Sequence, residues 1–224
     1  MAAKSKTKSN QSQAAGQLEP QVRKRLSDAM HQFKQAYAHG FKVLLKEIEK
    51  TSHESLQPFH AKMESLKMLD TPETFNEFLA QGKPLSELLG FSPEAIDTFY
   101  STAAKLVAQK RFNDAKDAFF FLVTVAPQVS ECWLGLGYAY GQCDEQEGAI
   151  QAFLRAIALS PHKADGYVAF ARLFTALDDF PRAQKVCDIG MHFVQEHKEQ
   201  NWAQELGKIL KETKKEITQM ASKH

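Results

Sequence analysis

The 224-residue sequence has few cysteines, little excess charge and no long apolar run. Its three cysteines, Cys132, Cys143 and Cys187, form no C-x-x-C pair, and such a sparse, odd count indicates reduced thiols in a cytoplasmic protein. Lys and Arg total 28 against 27 Asp and Glu, and a net charge of +1 gives no reason to expect nucleic acid as a partner. Because no apolar run approaches the roughly 20 residues of a membrane helix, we expect no stable membrane insertion.

Motifs for catalysis and for metal or nucleotide binding are also missing. No G-x-S-x-G sequence marks a nucleophile. His192, Glu196 and His197 share one predicted helix, but their order is not H-E-x-x-H and no third ligand is evident, so no metal site is predicted. The glycines of "WLGLGYAYGQ", residues 133–142, lack both the spacing of the dinucleotide fingerprint and a preceding strand. We therefore expect a non-enzymatic protein without a cofactor.

Apolar residues recur at helical spacing through most of the chain. The polar composition of residues 1–17 predicts a disordered tail. Residues spaced by threes and fours predict a long amphipathic helix at roughly 18–50, and shorter helices are expected at 58–69 and 73–82. No stretch alternates with period two for long enough to predict a strand. The fold class is therefore all-α, with an N-terminal helical extension at residues 18–72.

A constant period runs through the helices that follow. Residues of similar type recur at a constant sequence interval. Three such sets are Phe99, Trp133 and Tyr167; Ala103, Gly137 and Ala171; and Ala115, Ala149 and Ala183. A helix–turn–helix unit of about 34 residues with W-x2-L-G-x2-Y, then A-x3-F and a later proline, is the tetratricopeptide signature. The middle unit matches in full, the first matches by residue type, and the third decays toward its end. The period predicts a tetratricopeptide-repeat solenoid of three units at residues 73–195, with a capping helix at 196–224.

The repeat also explains the glycines. Gly137 is expected where the two helices of a repeat cross, with Ala149 facing it. A side chain larger than a methyl group at either position would push the helices apart.

The first helix of each repeat is expected to line the concave face of such an array and to form a peptide-binding groove. The groove positions lie one and five residues after the aromatic residue that begins the W-x2-L-G-x2-Y pattern of each repeat, and Val107 lies further along the same face. The predicted groove residues are Tyr100, Ala104, Val107, Leu134, Tyr138, Val168 and Arg172. Repeat proteins that grip the terminal carboxylates of heat-shock chaperones use several Lys, Arg and Asn residues here. This mostly apolar groove is instead expected to prefer an internal apolar segment. The alternative is that Leu134 and Tyr138 simply pack on neighbouring helices.

The segment "FNEFLAQGKPLSELLGFSPEAIDTFYSTAAKLVAQKRFNDAKDAF", residues 75–119, is similar to one family of repeat proteins. A short helix ending in FL-x-x-G, a leucine, a G-[IF]-S-x-E sequence and a first repeat ending in [KR]-[YF]-x-[DE]-A resemble the class II chaperones of bacterial type III secretion. "LGLG", followed by "AI" at residues 149–150, strengthens the resemblance, which covers about residues 73–195.

The resemblance implies a chaperone that binds hydrophobic translocator proteins in the bacterial cytoplasm before secretion. Members hold an extended segment of the P-x-L-x-x-P type in the concave groove. The groove residues that carry over are Tyr100, Phe112, Leu134 and Tyr138. Members also self-associate through N-terminal helices, which makes a homodimer a further expectation, although members begin shortly before the FL-x-x-G helix and this chain has a long additional segment there. A general protein–protein scaffold and a regulatory subunit of an enzyme remain as alternatives.

Overall fold

The computed structural model describes residues 20–51, 85–88 and 90–223, and within these ranges every regular element is an α-helix. In chain order the helices are α1 (Pro20–Thr51), α2 (Leu85–Leu88), α3 (Pro93–Ala108), α4 (Phe112–Val125), α5 (Ser130–Gln142), α6 (Gln146–Leu159), α7 (Ala164–Ala176), α8 (Phe180–Glu196) and α9 (Ala203–Ala221). The all-α class is confirmed. The pairs α3–α4, α5–α6 and α7–α8 form the three predicted hairpins.

Several sequence predictions lie partly or wholly outside the described residues. These are the disordered tail at 1–17 and the short helices at 58–69 and 73–82. The long helix predicted at 18–50 is confirmed as α1. The division of the chain at residues 72 and 195 stays a prediction. None of the described helices is both long enough and apolar enough to cross a bilayer.

The three hairpins turn in the same way. Each first helix ends before a residue with a positive φ angle, namely Lys110 at 59°, Asp144 at 61° and Asp178 at 55°. The next backbone N–H then donates to the carbonyl oxygen five residues earlier, in the pairs Arg111–Leu106, Glu145–Tyr140 and Asp179–Phe174, at 2.9, 3.0 and 2.9 Å. A left-handed residue with this hydrogen bond ends a helix in the Schellman manner. Because the motif recurs at the same position of every repeat, the sequence period is also a period of backbone conformation.

The aromatic residue near the start of a repeat ties that repeat to the one before it. The indole N–H of Trp133 donates to the carbonyl oxygen of Pro127 at 2.8 Å. One repeat later the hydroxyl of Tyr167 donates to the carbonyl oxygen of Pro161 at 3.2 Å. The bulk of each ring packs against the core and its polar atom satisfies the carbonyl at the end of the preceding repeat.

Helix α1 packs chiefly on α4, and more on α4 than on α3. The rings of Tyr37 and Phe121 lie 5.0 Å apart, and ten residues further along α1 the Glu47 carboxylate accepts a hydrogen bond from Arg111 at 2.7 Å. Phe121 lies near the end of α4, and Arg111 lies just before its first residue. The two helices are therefore antiparallel. The second helix of the first repeat is thereby covered.

A cluster of phenylalanines joins α1 to the first repeat. Phe41 is fully buried, stacks on Phe121 at 4.7 Å and meets Phe91 and Phe99 edge-on, each at 5.8 Å. Aromatic pairs of this kind contribute about 0.5–1.5 kcal/mol beyond the burial of their area. The sequence predicted the helix but not this attachment.

Helix α9 occupies the position of a fourth first helix. Its sequence Ala203-x2-Leu206-Gly207-x2-Leu210 follows the W-x2-L-G-x2-Y pattern with smaller residues, and all four residues are buried. The helix packs on α8 and, to a lesser extent, on α7, as α5 packs on α4 and α3. It therefore closes the core at this end, as the predicted capping helix does.

The closest approach of α1 to α4 generates the first testable prediction. A Cβ atom on Gly40 would overlap the backbone carbonyl oxygen of Asp117. Gly40→Ala should therefore lower the free energy of unfolding by about 1–3 kcal/mol, because two backbones must separate. The quantity is measured by urea denaturation followed by circular dichroism.

The control is the reverse change at an exposed position of the same helix. Ala38→Gly should cost about 0.5–1 kcal/mol through helix propensity alone. If Gly40→Ala instead stabilised the protein, as alanine does at a solvent-facing position, the close contact between α1 and α4 would be wrong.

Candidate peptide-binding groove

The three glycines of residues 133–142 are packing residues. A Cβ atom on Gly137 would lie 2.8 Å from the ring of Phe153 in α6. One on Gly135 would overlap the ring of Phe119 in α4, and one on Gly141 would lie 3.2 Å from Leu173 in α7. The predicted crowding at Gly137 is confirmed, and the group that causes it is the Phe153 ring, four residues beyond the expected Ala149. Helix α5 is therefore held closely between its neighbours.

The structure places the predicted groove residues on first helices, with one exception. Seven of them lie on α3, α5 or α7, whereas Phe112 is the first residue of α4. None lies in the buried core. Ala104, Tyr138 and Arg172 are exposed, and Tyr100, Val107, Phe112, Leu134 and Val168 are half-buried. Tyr138 has 46% of its surface exposed, a high value for a large aromatic residue.

Two aromatic pairs involve predicted groove residues. Phe112 of the first repeat meets Tyr138 of the second at 6.3 Å and an interplanar angle of 68°. Tyr100 in α3 meets Phe119 in α4 at 5.9 Å and 71°. Both are edge-to-face contacts, which aromatic rings favour. The rings do pack on neighbouring helices, as the alternative predicted, but Tyr138 keeps nearly half of its surface free for a ligand.

Groups on the two following first helices affect the ionisation of Tyr100. Burial raises the pKa of its hydroxyl above the usual value, and the neighbouring Cys132, Glu131 and Asp165 raise it further. Glu131 lies in α5 and Asp165 in α7. Acidic residues of both following repeats therefore influence the pKa of this hydroxyl, as is expected if α3, α5 and α7 face a shared space.

Two polar contacts lie at the beginning of α5. Lys163, just before α7, donates to the carboxylate of Glu131 in α5 at 2.6 Å, and this hydrogen bond lowers the pKa of Glu131. The hydroxyl of Ser160 donates to that of Ser130 at 3.0 Å. The first link joins α5 to the residue that precedes α7, and the second joins the beginning and the end of the second repeat. Glu131 and Asp165 occupy the same position of successive repeats, but neither was among the predicted groove residues.

A separate cavity of about 570 Å³ opens between α8 and α9. None of the predicted groove residues lines it; its walls include Met191, Val194, Lys208 and Lys211. Among the described residues, no group of three or more His, Cys, Asp or Glu side chains is placed to hold a metal ion.

The sequence matches no family model and no curated protein. Solved structures match the fold. A type III secretion system complex from Aeromonas hydrophila aligns with a TM-score of 0.53 at 14% identity, over 68% of this chain and 99% of that one. The Yersinia enterocolitica type III secretion translocator chaperone SycD aligns with a TM-score of 0.51 at 15% identity, over 59% of this chain and 97% of that one.

The recurring hairpin turns and these alignments together decide the fold. The protein is a tetratricopeptide-repeat solenoid. The family resemblance seen in the sequence is confirmed at the level of fold, because this repeat protein is similar to a translocator chaperone along nearly the whole length of that chaperone.

The charges near Tyr100 generate the second testable prediction. Combining Glu131→Gln with Asp165→Asn should lower the pKa of the Tyr100 hydroxyl, because two neighbouring negative charges are removed while burial remains. The pKa should stay above that of free tyrosine. NMR titration of ring-labelled tyrosine measures it.

Glu147→Gln serves as the control, since Glu147 is an exposed carboxylate in the first turn of α6. It should leave Tyr100 unchanged. An equal Tyr100 pKa in wild type and the double variant would contradict a shared space between α3, α5 and α7.

Proposed function

We propose that this protein is a type III secretion chaperone without enzymatic activity. In the bacterial cytoplasm its concave groove holds an extended apolar segment of a hydrophobic translocator protein, and so prevents aggregation or premature association. The observation that carries the proposal is the exposed Tyr138 ring, packed edge-to-face on Phe112 inside the groove. We retain self-association into a homodimer on the strength of the family resemblance alone.

The groove is suited to an internal apolar segment rather than to a chain end. Tyr100, Leu134 and Val168 occupy one position in the three repeats, and Ala104, Tyr138 and Arg172 occupy the next. A buried side chain the size of leucine contributes about 1.5–3 kcal/mol. Two or three such anchors, after the cost of ordering an extended peptide, support binding in about the micromolar range. With Arg172 as the one cation among these six residues, a grip on a terminal carboxylate is disfavoured.

The solved structures support the choice of client class. One of them is named a translocator chaperone and is matched over 97% of its length. At 15% identity that likeness concerns the fold. The client class therefore rests on the fold together with the apolar groove.

A general scaffold is the second candidate, and a specific observation favours it. Leu154 in α6 and Ile189 in α8 are exposed by 47% and 56%, and both lie on second helices rather than on the groove. A folded partner could bind such apolar residues on the outer surface. A regulatory subunit would use the same kind of surface.

These two surfaces give the third testable prediction. Tyr138→Glu should weaken binding of a short Pro-x-Leu-x-x-Pro peptide at least about tenfold, because it places a charge where an apolar anchor is buried. Leu154→Glu is the matched control, since Leu154 is exposed to the same extent on a second helix. Fluorescence anisotropy measures the affinity, and circular dichroism should show unchanged helicity and melting for both variants.

Co-expression with a hydrophobic translocator provides a second measure. Wild type and Leu154→Glu should keep the translocator soluble, and Tyr138→Glu should not. Peptide binding that survives Tyr138→Glu, or that is lost in Leu154→Glu, would show that the groove is not the site and would favour the scaffold.

A further inference from the structure

We propose that the groove selects apolar segments that carry lysine or arginine on one flank, because one rim of the groove is acidic. This inference rests on the proposed function and specifies the chemistry of the segment held there. The rim is formed by three carboxylates at the same position of the three repeats, Asp97, Glu131 and Asp165.

Each carboxylate lies beside an apolar groove residue. Asp97, Glu131 and Asp165 stand three residues before Tyr100, Leu134 and Val168 on the same helices. Residues three apart on a helix are neighbours on one face. The row of carboxylates therefore runs along the row of apolar anchors, on the side where the first helices begin.

The electrostatic effects of the three carboxylates agree with their common position in the repeats. Glu131 and Asp165 both raise the pKa of the Tyr100 hydroxyl. The pKa of the buried Cys132 thiol rises to about 12, mainly by burial, with further contributions from Glu131 and Asp97.

Positive charge on this rim is limited. Lys163 pairs with Glu131, and Asp165 also raises the pKa of Lys163, so this one cation faces two of the three carboxylates. Asp97 and Asp165 are exposed. The exposed cations further along α3 and α7 are Lys105 and Arg172, eight and seven residues beyond the carboxylates, or about 10–12 Å along each helix.

Helix stabilisation does not account for the whole row. Acidic residues in the first turn of a helix interact favourably with its dipole, and Glu131 and Asp165 lie in first turns. Asp97, however, lies in the second turn of α3, where that effect has faded and where Glu94 already occupies the first turn. A ligand with a basic flank would interact favourably with all three carboxylates.

The fourth testable prediction compares peptides that share one Pro-x-Leu-x-x-Pro core. Each peptide carries two lysines, two serines or two glutamates on one flank. Both the N-terminal and the C-terminal flank are tested, because a peptide can lie in the groove in either direction. At about 0.05 M salt, the tighter-binding of the two lysine-flanked peptides should bind wild type about fivefold more tightly than the peptide with serines on the same flank. The peptide with glutamates on that flank should bind less tightly than either. At about 0.5 M salt the difference should shrink toward none.

Substitutions then assign the preference to the rim. Asp97→Asn with Asp165→Asn should reduce the lysine preference to less than about twofold and leave the serine-flanked peptide unaffected. Glu147→Gln with Glu205→Gln, which removes first-turn carboxylates from α6 and α9, should leave the preference intact.

The outcomes separate this inference from the proposed function. If the serine-flanked peptide binds but the three flanks bind equally, or if the glutamate flank is preferred, the acidic rim selects nothing and only this inference fails. The inference also fails if the Asp97 and Asp165 variant keeps the full lysine preference. If none of the peptides binds wild type, the groove is not a peptide site and the proposed function fails as well.

Discussion

The packing of α5 between two phenylalanine rings sets the geometry of the middle repeat. Gly135 meets the ring of Phe119 on one side, and Gly137 meets the ring of Phe153 on the other. These contacts fix the rotation of α5 about its own axis. Of the residues that flank the two glycines, Leu134 is thereby half-buried and Tyr138 is exposed. A larger residue at either glycine would force α5 away from a neighbouring helix.

The two ends of the array are closed in different ways. At one end α1 packs on α4 through Phe41, which is fully buried among other phenylalanine rings. At the other end α9 follows α8 as half of a fourth repeat and buries Leu210 completely. Because each repeat of a solenoid contacts only its neighbours, both ends need such a cover. The first helices between them keep exposed surface for a ligand.

The sequence predicted features that recur and missed those that occur once. The repeat period placed the hairpins, since equivalent positions of a repeat occupy equivalent places in the array. The apolar stripe of α1 predicted a helix but could not name α4 as its partner, because periodicity shows which face is buried and not what covers it. Gly40 gave no signal for the same reason. The carboxylates at Glu131 and Asp165 lay within the period, yet acidic residues at helix starts are explained by the helix dipole until the structure shows what they face.

We propose that an apolar client segment lies against the first helices of the three repeats. Intermolecular NOEs between a bound Pro-x-Leu-x-x-Pro peptide and methyl-labelled leucine and valine residues test this most directly. We expect NOEs from the peptide to Leu134 and Val168 and none to Leu154, which is exposed on a second helix. NOEs to Leu154 without any to Leu134 would place the client on the outer surface and contradict binding to the first helices.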